Sequence, residues 1–208
     1  YPPLRMTREE ESKVTDYYYQ MARYRRYADR RFYKGCDIAN LIEVLAQRRA
    51  AKLFATDKVT ADKIYVNVQP LSGAAANNAI YEALVNPGDV VMGMALSEGG
   101  HLTHGSPFNR SGKRYTIVSY STDPKTEMLD YDEIMRLAKE HKPKMIIAGW
   151  TSYPWAPDWK RFREIADEVG AKLVADVSHP AGLIVGGVYP NPIEYCDVVM
   201  CTTHKTLC

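Results

Sequence analysis

Apolar residues recur along this chain at two spacings, and the switch between them sets the expected architecture. Near the start, Thr7 with Glu10 fits a capping box and predicts a charged helix running to about Asp29. Its aromatic cluster (Tyr17, Tyr18, Tyr19, Tyr24 and Tyr27) is too rich for a solvated face alone. A second helix over about Asp37 to Phe54 would place Ile38, Leu41, Ile42, Leu45 and Leu53 on one apolar stripe. Downstream the period shortens. Compact β-rich runs occur at 64–69, 89–94, 115–120, 144–149, 172–177 and 197–202. Helical stretches at about Ala74 to Val85, Tyr131 to Glu140 and Asp158 to Val169 separate several of them. This alternation predicts an α/β fold, with a mostly parallel sheet covered by helices on both faces. In such sheets ligands gather at the carboxyl ends of the strands.

Composition narrows the partners. The 208 residues are 46% hydrophobic, enough for a sizeable core. Lys+Arg 27 against Asp+Glu 25 gives a net charge of +2, no electrostatic case for nucleic acid or an anionic membrane. No apolar run approaches the roughly 18 residues that span a bilayer, and YPPLRMTREEE lacks the apolar core of a signal peptide. Cys36, Cys196, Cys201 and Cys208 show neither C-x-x-C pairing nor disulfide density, which favours a reducing compartment. A soluble, cytoplasmic globular protein is expected. No repeat or low-complexity linker interrupts it. A first residue Tyr1 and an abrupt stop at Cys208 suggest a fragment.

The chemistry lies just after the strands. Gln69-Pro70-Leu71-Ser72-Gly73-Ala74-Ala75-Ala76-Asn77 opens a helix with small residues that let backbone N–H groups approach a phosphate. Ser72 adds a hydroxyl there, or serves as an ordinary N-cap. Asp176-Val177-Ser178-His179 puts an aspartate at a buried strand end, where it needs a partner; a structural salt bridge is the plain alternative. Thr202-Thr203-His204-Lys205-Thr206 places a lysine 29 residues beyond Asp176, about one βαβ excursion. Together these are what pyridoxal phosphate requires. The lysine forms the Schiff base, and the carboxylate keeps the pyridine nitrogen protonated so that the ring acts as an electron sink. Gly99-Gly100-His101-Leu102-Thr103-His104-Gly105 supplies an imidazole to stack on the ring. His101 and His104 could instead ligate a metal, but no third ligand cluster accompanies them, and no metal is expected.

At these residues the sequence resembles the serine hydroxymethyltransferase family, among the fold-type I pyridoxal-phosphate enzymes. The carrying segments are RRFYKGC (30–36), NVQPLSGAAAN (67–77), NPGDVVMGM (86–94), GGHLTHGSP (99–107), DYDEIMRLAKEHKPKMIIAG (130–149), FREIADEVGAKLVADVSHPAGL (162–183) and TTHKTL (202–207). The resemblance implies an aspartate-aminotransferase-like large domain over 30–208, preceded by a helical arm over 1–29, with a small C-terminal domain lying beyond Cys208. It implies Lys205 as the Schiff-base lysine and Asp176 as partner of the pyridinium. His101 would stack on the ring and His179 lie near the phenolic oxygen. Ser72, Gly73, Ala74 and Thr202 would line the cofactor, with Ser178 against one ring face. Thr151 stands where the family usually has a serine, and His204 precedes the lysine. Tyr33 would reach a neighbouring subunit's site in a homodimer. Leu96, Gly100 and Leu102 match positions beside the family's folate.

Several positions depart from the family pattern. Arg25 occupies the place of a glutamate that is the leading acid/base candidate, which replaces a proton acceptor by a cation. Arg23 and Phe32 replace tyrosines, and Ser178 replaces an alanine. Ala74 lacks a hydroxyl expected in the phosphate loop, a loss of about 1 kcal/mol of binding. The leading expectation is pyridoxal-phosphate-dependent hydroxymethyl transfer. Serine and the cosubstrate tetrahydrofolate would give glycine and methylenetetrahydrofolate by Cα–Cβ cleavage through an external aldimine. A folate-independent, threonine-type aldolase or transaldolase is the alternative, and an inactive paralogue serving as a dimer partner is the third.

Overall fold

The computed structural model describes residues 35–207. The expected helix over 7–29, the aromatic cluster within it, Arg25 and Tyr33 lie outside the described residues. The chain divides into two compact units, residues 1–51 with 65–69 and residues 52–64 with 70–208.

In the first unit begins helix α1 (Asp37–Phe54). Glu43 on this helix accepts a hydrogen bond from Gln69 Nε2 at 2.9 Å. The expected apolar stripe is not a buried one: Ile38 is 74% and Ile42 64% exposed, and Leu53 is exposed as well. A 3.6-residue period fixes which side chains share a face, not what covers that face. The run at 64–69 is also not a strand. Asn67 Oδ1 there accepts the Gln69 N–H at 2.9 Å, a local bond that competes with ladder pairing.

The second unit holds a five-stranded sheet. In chain order its elements are helix α2 (Gly73–Leu84), strand β1 (Val90–Met94), helix α3 (Arg110–Arg114), β2 (Thr116–Tyr120), α4 (Tyr131–His141), β3 (Met145–Gly149), α5 (Trp159–Val169), β4 (Lys172–Asp176), α6 (Ala181–Val185) and β5 (Val198–Met200). The order across the sheet is β2-β1-β3-β4-β5, and every pair is parallel. Side chains alternate between two cores, as a period of two requires. Met92, Ile146 and Leu173 face one core with Tyr120, Ile134, Phe162 and Ile165. Val91, Met145, Ile147 and Val174 face the other with Tyr81 and Val85. Burial on both faces explains why these strands read as unbroken apolar runs.

Helix starts follow local chemistry. Ser72, Asn109, Asp130 and Asp158 each cap their helix, accepting a backbone N–H within its first turn. Gly170 ends α5 at φ 68°, a left-handed turn that suits glycine. No helix among the described residues is long and apolar enough to cross a membrane.

The order of the sheet positions the site. The connection leaving β1 runs to β2 on one side and the connection leaving β3 runs to β4 on the other, so the winding reverses between β1 and β3, which opens a crevice beyond their carboxyl ends. There the Thr151 N–H, just after β3, donates to the Gly99 carbonyl, just after β1, at 2.6 Å.

Candidate functional site

Asp176 ends β4 and is only 7% exposed. Its Oδ2 accepts hydrogen bonds from His104 Nε2 at 2.8 Å and Asn77 Nδ2 at 3.0 Å. Its Oδ1 accepts from Ser178 Oγ at 2.7 Å and from the Ser178 backbone N–H at 3.2 Å. Burial pushes this carboxyl's pKa up, but the bonds from His104, Asn77 and Ser178 outweigh it and hold Asp176 below the usual carboxylate range. The result is an anion at a sheet's carboxyl end, kept ionised by four donors.

Those donors come from three places in the chain. His104 closes a 3-10 turn (Leu102–His104) and is 3% exposed. Its Nδ1 accepts the His101 N–H at 3.4 Å, so Nε2 carries the proton given to Asp176. Both nitrogens of His104 are thus committed to protein partners. Asn77, on α2, also donates to Thr103 Oγ1 at 2.8 Å, and that hydroxyl lies 2.8 Å from His101 Nδ1. The turn sits tight on β1, where a Cβ at Gly93 would come within 2.7 Å of the His104 carbonyl. Partial burial and the neighbouring His104 lower the His101 pKa, and burial with the charge of Lys205 lowers that of His179. Both imidazoles are neutral at neutral pH.

Glycine is needed beside the carboxylate. Gly149 on β3 pairs with Asp176 on β4, and a Cβ there would lie 2.6 Å from both the Cβ and the carbonyl oxygen of Asp176. Gly149→Ala is expected to displace the end of β4 and to cost about 1–3 kcal/mol in chemical denaturation. An unchanged midpoint would show that β4 accommodates the methyl.

Lys205 lies five residues past β5, the strand next to β4. Its Nζ donates to the buried Thr202 Oγ1 at 2.8 Å. Thr206 ties this loop to the segment after β4, with its hydroxyl donating to the His179 carbonyl and accepting the Gly182 N–H. The sheet and this tie therefore bring the lysine-bearing and aspartate-bearing loops together. Ser72 is an N-cap here, its Oγ accepting the Ala75 N–H at 3.3 Å. A Cβ on Gly73 would meet Thr202 Cγ2 at 2.8 Å, so the start of α2 approaches the lysine loop through a space only glycine leaves open. An open groove lined by Thr56, Trp159, Asn191 and Tyr195 shares no residue with this cluster.

A lysine amine, a buried carboxylate, two neutral imidazoles and a small-residue helix start now stand at one end of one parallel sheet. The family model of serine hydroxymethyltransferase matches residues 18–208. The chain belongs to the serine hydroxymethyltransferase family. Among curated relatives, serine hydroxymethyltransferases of Hydrogenovibrio crunogenus, Teredinibacter turnerae and Acinetobacter radioresistens are 54%, 52% and 51% identical over 181 residues. Each match covers 87% of this chain but only 41%, 41% and 42% of the relative. The chain therefore spans about two-fifths of their length. The all-parallel sheet under helices is consistent with the fold-type I domain of serine hydroxymethyltransferases.

The other positions singled out by the resemblance to serine hydroxymethyltransferases are spread around this centre. Gly100 is buried beside β1's end, while Leu96 and Leu102 are half exposed. Thr151 is exposed and joined to Gly99 through its backbone, and His204 is exposed next to Lys205. Ala74 is exposed in the first turn of α2. Ser178 turns its hydroxyl to Asp176. Sequence reasoning did not place His104 or Asn77 in the site. Both stood in quoted motifs, GGHLTHGSP and NVQPLSGAAAN.

Proposed function

We propose that this chain is the cofactor-binding part of a pyridoxal-phosphate-dependent serine hydroxymethyltransferase that converts serine and tetrahydrofolate to glycine and methylenetetrahydrofolate. The observation that carries this reading is Asp176, buried and held ionised one strand away from Lys205. The residues fit the cofactor: a glycine cradle at Gly73, a lysine amine beside Thr202, and an anion whose donors fix its orientation. When bound, pyridoxal phosphate supplies an electron sink for the pair left on the substrate Cα as the Cα–Cβ bond breaks.

The chain's own groups divide the remaining work. Lys205 supplies the amine that attaches the cofactor's aldehyde carbon, and Thr202 Oγ1 orients Nζ beforehand. Asp176 holds a proton on the ring nitrogen, which an ionised carboxylate does and a neutral one does not. His101 is neutral and offers a flat ring rather than a repelling cation. His179 lies on the loop pinned to the lysine segment by Thr206, where a neutral imidazole can hydrogen-bond a phenolic oxygen. Ser72, Gly73 and the first N–H groups of α2 favour the phosphate dianion. Tyr33 would complete a neighbouring subunit's site in a homodimer, with 1–29 as a helical arm.

The test is made on the full-length protein. Incubation with pyridoxal phosphate should give a visible absorbance that borohydride fixes as one covalent adduct on Lys205. Serine should then give glycine only with tetrahydrofolate. Absence of the adduct rejects the reading. A second reading rests on Arg25, a cation at the place where the resemblance implies a glutamate. Glycine formation equally fast with and without tetrahydrofolate would favour a folate-independent aldolase.

A further inference from the structure

The hydroxyl of Ser178 is the fourth donor on Asp176. A carboxylate offers about four lone-pair directions. His104 and Asn77 occupy Oδ2, and the Ser178 N–H and hydroxyl occupy Oδ1. A ring N–H that approaches this carboxylate finds no acceptor direction free. Three of the four donors cannot yield. His104 is oriented by the His101 N–H on its other nitrogen, Asn77 is oriented by Thr103 Oγ1, and the backbone N–H of Ser178 is part of the chain. The Ser178 hydroxyl alone can rotate, and the thioether of Met200, a weak acceptor 3.7 Å away, is beside it.

Resting on the functional reading above, we propose that Ser178 is a positioning residue whose hydroxyl acts as a displaceable donor: it holds the Asp176 carboxylate in the cofactor-free protein and turns away to release one Oδ1 lone pair to the cofactor's ring nitrogen. The hydroxyl thus competes with the cofactor, and removing it makes binding tighter. Without it Oδ1 keeps the backbone donor and one open acceptor direction. No atom is transferred in this exchange; one O–H···O bond is replaced by one N–H···O bond.

Equilibrium binding to the full-length protein tests this, with two probes: pyridoxal phosphate, and its 1-deaza analogue in which C–H replaces the ring nitrogen. Ser178→Ala is expected to bind pyridoxal phosphate about three- to tenfold more tightly, the worth of one hydrogen bond. Its affinity for the analogue, which asks nothing of the lone pair, should not change. Ser178→Cys, close in size with a weaker donor, should shift in the same direction by less, and it serves if the alanine variant misfolds. Unchanged or weaker binding of pyridoxal phosphate overturns the proposal, as does equal tightening toward both probes. If the unaltered protein forms no adduct on Lys205, the functional reading itself falls. If it does and the variants fail to tighten, only the role of Ser178 falls.

Discussion

Lys205→Ala is expected to abolish the borohydride-trapped adduct and to lower serine cleavage by on the order of 10^3-fold or more, because the nucleophile itself is removed. Stability should hardly change. The lysine is exposed, and its one described hydrogen bond, to Thr202 Oγ1, is to a hydroxyl that keeps its place in the wall of the site. Exposed substitutions of this kind stay within about 0.5 kcal/mol. The two readings together separate chemistry from folding. Reduction with borohydride followed by peptide mass analysis reports the adduct, and a denaturation curve reports the fold. A variant that still carried one reducible adduct per chain would assign the attachment to another lysine. A variant that lost the adduct together with several kcal/mol of stability would make Lys205 a structural residue.

The sheet was largely legible because its strands are buried on both faces. The expected runs 89–94, 115–120, 144–149, 172–177 and 197–202 correspond to β1–β5, with ends differing by one or two residues. The run at 64–69 is β-rich as well but has no partner strand among the described residues, since pairing is a tertiary property that a local pattern does not carry. Helices α3 and α6 are five residues each, too short to show a period. In the site, Asp176 and Lys205 were legible because each follows a strand and carries an unusual charge there. His104 and Asn77 were not. Their bonds to Asp176 span 72 and 99 residues of sequence, so only the folded sheet brings them together. The i,i+3 spacing of His101 and His104 invited a metal reading, whereas the fold spends both nitrogens of His104 on protein partners. Ser178 was expected against a ring face by analogy with an alanine; as a serine it has a donor to place, and a buried donor seeks the nearest anion.

Asp176→Asn is expected to be the most destabilising polar substitution in the site, and to weaken cofactor binding with it. The amide keeps the size but not the charge, and its NH2 must face either the Oδ2 donors His104 and Asn77 or the two Ser178 donors on Oδ1. Donors then oppose donors in a buried place, which costs about 2–4 kcal/mol. The pH dependence gives this prediction a sign. Hydrogen bonding holds the Asp176 pKa in the folded protein below its unfolded value of about 3.9. Between the two values the unfolded chain binds the extra proton, so stability rises with pH there. The contribution of Asp176 is therefore complete above roughly pH 5 and is lost as the pH falls through about 4 toward the folded-state pKa. Denaturation midpoints measured from neutral pH down to about pH 3 should show the two proteins converging, because the asparagine variant has no proton to take up at this position. Parallel curves would mean that the carboxyl has the same pKa folded and unfolded, so that its donors do not favour the charged form. An unaltered protein that gained stability relative to the variant as the pH fell would mean that the carboxyl is neutral in the folded protein, and a neutral carboxyl could not hold a proton on a ring nitrogen. The same titration thus bears on the fold and on the chemistry: the charge that His104, Asn77 and Ser178 stabilise is the charge the proposed reaction needs.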